Sequence, residues 1–329
     1  DWNTSANSVN DLGRIVDAKG GFAPLRTVNV TTTATLNTAI ADALPGDDIV
    51  MAAGTYTNIT ITSTKDGTAT NPIRLRGVKG TILTGGDLTT TYAIQPKADW
   101  WIFEDFEIAN ALAGIYAQGA NDCIFRRLWV HNIGQEAIHL FNFSSRNLVE
   151  ACSIASTGKR GTTFEEFGEA IYIGTDNGQW ATKTGGLPDT SNDNIVRNCI
   201  IGPHITSEHF DIKEETYRTI VEGNTMFGIG QVATPTFIDA FIDIKGREVI
   251  VRHNRFMDAD TQTRAIETND QGIYDPQDCI FYGNEIRMTS GVGVVGIQIN
   301  GTLASTHKVY RSNLVTGTSG GVSNVALVD

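Results

Sequence analysis

One short alternating phrase recurs along this chain and constrains its fold more than any other feature. The second and fourth positions of the phrase are mostly aliphatic and the third is usually polar. The phrase occurs at residues 137–141, 170–174, 209–213, 241–245, 265–269 and 296–300. Such alternation is typical of a β-strand with one buried and one exposed face. A period of roughly 22 to 30 residues is too short for a domain and predicts one solenoid coil per repeat.

Stacking of successive coils brings the third positions together on the surface. We call this row the central column, and we expect functional residues there. Its predicted members are Tyr116, His139, Tyr172, Asp211, Asp243, Glu267 and Gln298.

A second strand follows each phrase and ends at an equivalent position in each coil. Those positions hold Leu128, Cys152, Cys199, Asn224, Asn254, Asn284 and Asn313. Stacked Asn side chains can hydrogen-bond along the solenoid axis, so we interpret the four Asn as a structural ladder at a corner. The pair Cys152 and Cys199 is consistent with a disulfide or with two buried thiols.

Composition limits the partners of the protein. The 329 residues carry a formal net charge of −12, which argues against nucleic acid and an anionic membrane surface. No apolar run approaches the ~20 residues of a membrane span. The chain begins at Asp1 without Met, so we expect a secreted, glycosylated monomer. Candidate glycosylation sequons lie at Asn3, Asn29, Asn58, Asn142 and Asn300.

The repeats divide the chain into an irregular N-terminal segment, residues 1–34, and one solenoid domain, residues 35–329. Residues 36–44 predict a short amphipathic helix that caps the open end of the solenoid. Two polar, Gly-rich stretches near 158–168 and 175–193 interrupt the period and predict loops. Long loops on a rigid scaffold commonly wall a binding cleft.

Two consecutive phrases carry the strongest chemical signal. Stacking places Asp211 about one strand spacing (~4.8 Å) from Asp243, and Glu267 extends the acidic row. Carboxylates this close raise one another's pKa or hold a cation, and Ca²⁺ prefers several oxygen ligands. The alternative is a set of Asp–Lys pairs with Lys213 and Lys245 on a solvated sheet, each pair stabilising by about 1 kcal/mol or less.

The opening of the solenoid contains a recognisable motif. It consists of the runs Ala39-Ile40, Pro45-Gly46-Asp47, Gly54-Thr55-Tyr56, Gly67-Thr68 and Pro72-Ile73. This segment resembles the right-handed parallel β-helix polysaccharide lyases, and most closely their chondroitinase B and alginate lyase group. The resemblance implies an all-β, single-domain, right-handed parallel β-helix.

The third phrase resembles the active coil of the same lyases. The spacing from Glu208 to Lys213, followed by the turn Gly223-Asn224-Thr225, matches their pattern. The resemblance implies that Glu208 helps to bind Ca²⁺ and that Lys213 is the catalytic base. Lys245 stands where those lyases have an Arg, a departure that replaces a bidentate fork with a point charge. Alternation puts Glu208 on the face opposite Lys213, so a bend or bulge is required for both to act together.

The resulting functional prediction is a secreted lyase that cleaves a uronic-acid polymer by metal-assisted β-elimination. Candidate proton donors are Tyr172, His209 and Lys245, and candidate metal ligands are Glu208, Asp211, Asp243 and Glu267. Candidate substrate-binding residues are His139, Arg264 and Trp180.

Three alternatives remain open at this stage. A non-catalytic metal- or glycan-binding β-helix would hold Zn²⁺ or Cu²⁺ through His139, His209 and Asp211. An inverting glycoside hydrolase would use carboxyls ~6.5–9.5 Å apart, such as Asp211 and Glu267. A purely structural surface protein would need no site at all.

Overall fold

A computed structural model describes residues 23–231, 240–259, 261–289 and 292–329. Within these residues the chain winds through three parallel sheets of 12, 9 and 10 strands, and each complete coil contributes one strand to each sheet. Strands of successive coils pair in parallel with equivalent residues in register. The architecture is the right-handed parallel β-helix that the repeats and the opening motif predicted.

Sheet 1 runs from end to end of the solenoid. Its strands are β1 (Arg26–Val30), β2 (Asp47–Met51), β5 (Ile73–Gly77), β8 (Trp101–Glu104), β11 (Ile124–Arg126), β14 (Leu148–Glu150), β17 (Ile195–Arg197), β20 (Ile220–Glu222), β23 (Ile250–Arg252), β26 (Ile280–Tyr282), β29 (Lys308–Tyr310) and β31 (Leu327–Val328).

Sheet 2 contains the recurring phrases. Its strands are β4 (Ile61–Ser63), β7 (Tyr92–Pro96), β10 (Ala113–Gln118), β13 (Ile138–Phe141), β16 (Ile171–Ile173), β19 (Phe210–Ile212), β22 (Ile242–Ile244), β25 (Ile266–Thr268) and β28 (Ile297–Ile299).

Sheet 3 closes each coil. Its strands are β3 (Gly54–Thr57), β6 (Thr81–Thr84), β9 (Glu107–Ala111), β12 (Trp129–Ile133), β15 (Ser153–Ala155), β18 (Ile200–Ile201), β21 (Thr225–Phe227), β24 (Arg255–Met257), β27 (Glu285–Arg287) and β30 (Leu314–Thr316).

The predicted capping helix is present but begins earlier than the sequence pattern suggested. Helix α1 spans Thr33–Ala41, because Thr32 and Thr35 form a reciprocal capping box that starts the helix. The helix buries Leu36, Ala39 and Ile40 over the end of the core. Residues 1–34 were predicted to be irregular, but residues 23–34 contain regular structure. Strand β1 pairs with β2, and α1 starts before residue 35. The rest of that segment lies outside the described residues, with the Asn3 sequon.

The predicted loops carry short helical turns. The first contains a 3₁₀ turn, Thr162–Phe167, and the second contains a 3₁₀ turn, Asn177–Gln179, followed by helix α2, Trp180–Lys183. Further 3₁₀ turns span Gly272–Tyr274 and Ala304–Thr306. No helix among the described residues has the length and apolar character that crossing a membrane requires.

The predicted Asn ladder lies at the corner between sheets 1 and 3. Before the first three Asn of the ladder, the preceding residue takes the left-handed conformation, as at Gly223 (φ 65°) and His253 (φ 55°). The Asn itself then hydrogen-bonds along the axis: the amide of Asn224 donates to Oδ1 of Asn254 at 2.9 Å. The predicted ladder therefore exists, with its side chains buried. Cys152 and Cys199 stand at the same corner as free, buried thiols.

Removing one ladder side chain should weaken the whole solenoid. Asn254→Ala leaves the amide of Asn224 and the carbonyl of Val221 without their buried partners, so we expect the free energy of unfolding to fall by about 2–4 kcal/mol. Chemical denaturation measures this loss. Asn37→Ala, on the exposed face of α1, is the matched control and should change stability by less than about 0.5 kcal/mol. Equal stability of the two variants would contradict a structural ladder.

Candidate active site

The predicted central column is present on the outer face of sheet 2. Strand register pairs Tyr116 with His139, His139 with Tyr172, and Tyr172 with Asp211, and it continues through Asp243, Glu267 and Gln298. From Tyr116 to Glu267 the column forms the floor of a cleft of about 1030 Å³. Both predicted loops contribute to its walls, through Glu166 and Phe167 from the first and Asp176, Gln179 and Lys183 from the second.

Lysines and aspartates form one buried network in the cleft. Lys213 Nζ lies 2.8 Å from Asp211, and Lys245 Nζ lies 2.9 Å from the other oxygen of Asp211 and also bonds Asp243. Burial raises the pKa of the Asp211 carboxyl, but the two ammonium groups outweigh this effect and hold its pKa below the ordinary value. Burial lowers the pKa of both lysines, but the nearby carboxylates raise it to a net value above the ordinary one.

Three carboxylates converge beside this network. In the described part of the chain, Glu169, Glu208 and Asp211 form one group whose oxygen atoms lie within 4.8 Å of one another, and all three are buried. Burial and the negative charge of Asp211 raise the pKa of Glu208 to about 8. Burial, Glu136 and Glu208 raise the pKa of Glu169 well above its ordinary value. Like charges held this close to one another require protons or a cation.

A β-bulge brings Glu208 into the cleft. The backbone amides of His209 and Phe210 both donate to the carbonyl oxygen of Phe241, at 2.8 and 3.0 Å. His209 and Phe210 therefore both lie opposite Phe241, and the inward and outward alternation of side chains shifts by one residue at this point. Glu208 reaches the cleft on the same side as Asp211 and Lys213, so the bulge that the sequence required is observed.

The same bulge overturns the prediction for His209 as a proton donor. Its side chain is fully buried in the core, where Nε2 donates to the carbonyl oxygen of Phe227 at 2.9 Å and the ring contacts Phe241. Simple alternation had placed His209 on the outer face. The structure therefore does not bring His139, His209 and Asp211 together as ligands of Zn²⁺ or Cu²⁺.

Burial of His209 should make stability depend on pH. Burial lowers its pKa to about 4 from the ordinary 6.5, so the folded protein keeps the ring neutral where the unfolded chain protonates it. Stability is then lost as pH falls from 6.5 towards 4, by about 2 kcal/mol at pH 5. His209→Gln, which retains a donor for Phe227, should remove this slope in urea titrations at pH 7 and pH 5. His253→Asn, at an exposed corner, should keep it, and identical slopes in all three proteins would contradict the assignment.

The predicted substrate-binding residues separate into two groups. His139 and Arg264 line the cleft, where Arg264 lies 3.2 Å from Glu267. Trp180 does not line it: the indole is buried, its Nε1 donates to the carbonyl oxygen of Thr175, and its ring meets Tyr274 edge to face. Trp180 packs its own loop, so its assignment to substrate contact is wrong.

The predicted metal ligands also separate. Glu208 and Asp211 belong to the convergent carboxylates, whereas Asp243 bonds Lys245 and Glu267 faces Arg264. Sequence reasoning missed Glu169, which completes the group. A signal existed, because a Glu immediately precedes the recurring phrase in three successive coils, at residues 136, 169 and 208.

Comparison with known proteins shows similarity to polysaccharide lyases. Residues 30–91 match the chondroitinase B family model. Pectate lyase PEL9 of Emericella nidulans is 32% identical over 154 residues, which is 40% of this chain and 35% of that protein. The chain thus spans about a third of the length of this curated relative.

Solved structures extend the likeness over nearly the whole chain. An alginate lyase from Paenibacillus sp. strain FPU-7 superposes with a TM-score of 0.84 and 28% identity, covering 92% of this chain and 99% of that one. Pectate lyase Pel9A superposes with a TM-score of 0.61 at 16% identity, covering 93% and 83% of the two chains, and so shares the fold. The recurring coils, the opening motif and these likenesses agree on a right-handed parallel β-helix that is similar to polysaccharide lyases of this fold.

Proposed function

We propose that this protein is a secreted polysaccharide lyase that cleaves a uronic-acid polymer by Ca²⁺-assisted β-elimination. The observation that carries the proposal is the meeting of a lysine pair, a tyrosine and three carboxylates in one cleft. Tyr172, Lys213 and Lys245 lie in adjacent coils, and Lys213 Nζ stands 5.0 Å from the centre of the Tyr172 ring. This combination offers a base, an acid and a cation site in a row.

The convergent carboxylates suit Ca²⁺. Glu169, Glu208 and Asp211 present oxygen ligands, which hard cations prefer. Oε2 of Glu169 is buried and lacks a hydrogen-bond partner in the described part of the protein, so it has an unused acceptor inside the group. These three residues would hold the ion. When bound, it would supply positive charge that neutralises the uronate carboxylate, acidifies the C5 proton and offsets the negative charge beside Lys213.

Lys213 and Tyr172 then supply the proton transfers. The carboxylates around Lys213 raise its pKa, so the uncharged base depends on the opposing positive charge of the ion and of Lys245. In that form Nζ of Lys213 takes the C5 proton of the uronate, and the released electron pair forms the C4–C5 double bond while the C4–O bond breaks. The phenol of Tyr172 donates its proton to the leaving oxygen. Burial and Asp211 raise the pKa of Tyr172 well above its ordinary value, which keeps the phenol protonated. Lys245 holds Asp211 and Asp243 in place.

The substrate class follows from the charge of the cleft and the relatives. Although the protein carries a net charge of −12, Lys183, Lys213, Lys245 and Arg264 line the cleft and provide local positive charge. Alginate is the first polymer we propose, because the alginate lyase resembles this chain over almost its full length. A polysaccharide such as alginate does not cross a membrane, which supports secretion. The sequon residues Asn29 and Asn58 are exposed, which supports glycosylation. One chain completes the cleft, which supports a monomer.

The test is formation of unsaturated product, followed by ultraviolet absorbance, on alginate, polygalacturonate and chondroitin sulfate. We expect a Ca²⁺-dependent rise on alginate. A flat response on all three polymers from folded protein would overturn the proposal and favour a non-catalytic glycan-binding β-helix.

A further inference from the structure

The cleft has a second recognition element at its aromatic end, away from the three carboxylates. Tyr92 and Tyr116 stack with ring centres 4.4 Å apart, and Tyr116 also contacts Phe141 at 4.5 Å. His139 packs edge-on against Tyr116 at 5.2 Å. Tyr92 and Tyr116, supported from behind by the buried rings of Phe141 and His139, give the N-terminal half of the cleft an aromatic floor of the kind that stacks on a sugar face.

A cation stands over this floor. Lys183, an exposed residue at the end of α2, donates from Nζ to the hydroxyl of Tyr116 at 3.1 Å. Its Nζ also lies 5.8 Å from the Tyr116 ring centre and 5.9 Å from that of Phe141. A charged group placed beside an aromatic floor can pair with a carboxylate on a sugar that stacks there.

The loop that carries Lys183 is fastened to the solenoid. Trp180 donates to the carbonyl of Thr175, which anchors α2 from below. Asp189, fully buried, accepts the backbone amides of Asn142 and Phe143 at 2.7 and 2.9 Å. The Trp180 bond holds α2 within its loop and the Asp189 bonds hold the loop against the solenoid, so Lys183 is presented by a structured segment. This also gives Trp180 a positioning role.

We infer that Tyr92, Tyr116 and Lys183 form a distal subsite, backed by the buried ring of Phe141, that binds an acidic sugar of the polymer. Tyr116 lies two coils from Tyr172, ~9–10 Å along the axis, which exceeds the length of a single pyranose ring. A substrate that reaches both places therefore spans at least two sugars with recurring carboxylates. The inference rests on the proposed function, because it assumes that a uronate polymer occupies the cleft.

The test measures binding without turnover. Calorimetric titration of an oligomannuronate hexasaccharide into protein carrying Lys213→Ala gives the reference affinity. Adding Lys183→Met should weaken binding about tenfold through loss of a charge-assisted contact, and Lys183→Glu should weaken it further. Lys308→Met, an exposed lysine on sheet 1, is the matched control and should leave the affinity unchanged.

The outcomes separate this inference from the lyase proposal. Affinities of Lys183→Met and Lys183→Glu within twofold of the reference would overturn the subsite, even where the wild-type protein forms unsaturated product. A flat product panel together with a tenfold loss on Lys183→Met would overturn the lyase proposal and leave the acidic-sugar subsite standing. Tyr116→Ala provides a second variant, and unchanged affinity there would remove the aromatic floor from the subsite.

Discussion

Replacing Lys213 with arginine should leave the fold intact and lower kcat by about 10²–10⁴-fold, the range expected for loss of a general base. Arginine keeps the positive charge and can still pair with Asp211, which contacts Lys213 at 2.8 Å. It remains protonated at any accessible pH and therefore cannot accept the C5 proton. The variant separates a base from a purely electrostatic role, which an alanine substitution would not do.

The measurement is the initial rate of unsaturated product on alginate at saturating substrate. Lys308→Arg, on sheet 1 and away from the cleft, is the control and should retain the wild-type rate. A Lys213→Arg enzyme that keeps more than a tenth of the wild-type kcat would show that Lys213 supplies charge only. The base would then have to be sought elsewhere in the cleft.

Removal of divalent cations with a chelator should abolish product formation, and added Ca²⁺ should restore it. The physical reason is the convergence of Glu169, Glu208 and Asp211, because the two lysines pair with Asp211 and buried charge on the two glutamates is costly without a cation. An ion that binds only the folded protein also stabilises it, by about 2.7 kcal/mol at a concentration 100 times its dissociation constant. The thermal midpoint should therefore rise with Ca²⁺, independently of activity.

Two isosteric variants locate the ligands. Glu169→Gln should raise the Ca²⁺ concentration needed for half-maximal activity by about tenfold or more, because it removes the charge of one of three candidate ligands. Asp243→Asn should raise it much less, because Asp243 bonds Lys245. If both variants raised the required Ca²⁺ concentration equally, the metal site would instead include the acidic row of Asp211, Asp243 and Glu267. Unchanged activity and thermal midpoint after chelation would exclude a required ion.

The register of the solenoid was predictable because it rests on a period that the sequence carries directly. Alternation put Phe210 and Ile212 inside and Asp211 outside, and stacking of equal phrases put Asp211 next to Asp243. The resemblance of the opening motif to β-helix lyases added the fold and its handedness. The capping helix was correct in kind, while its start depended on a Thr–Thr capping box that the pattern of apolar residues does not report.

The positions of individual site residues were less predictable because they depend on bulges, loops and residues outside the repeated phrase. A bulge before Phe210, of a kind that recurs before Ile242 and Ile266, exchanged the faces of Glu208 and His209, and strict alternation cannot locate a bulge. Trp180 was ambiguous because an exposed tryptophan and one that packs its own loop look alike in sequence. Glu169 was not predicted because the site residues were chosen mainly from the third position of each phrase, whereas this residue lies just before the phrase.

The most direct test of the central claim is the mass of the products formed from a purified mannuronate oligomer in the presence of Ca²⁺. Elimination breaks the C4–O bond without adding water, so the masses of the two fragments should sum to the mass of the parent oligomer. Hydrolysis adds one water for each bond broken. Fragments that together carry the extra water would contradict the lyase and point instead to a glycoside hydrolase acting through a pair of carboxyls in the same cleft.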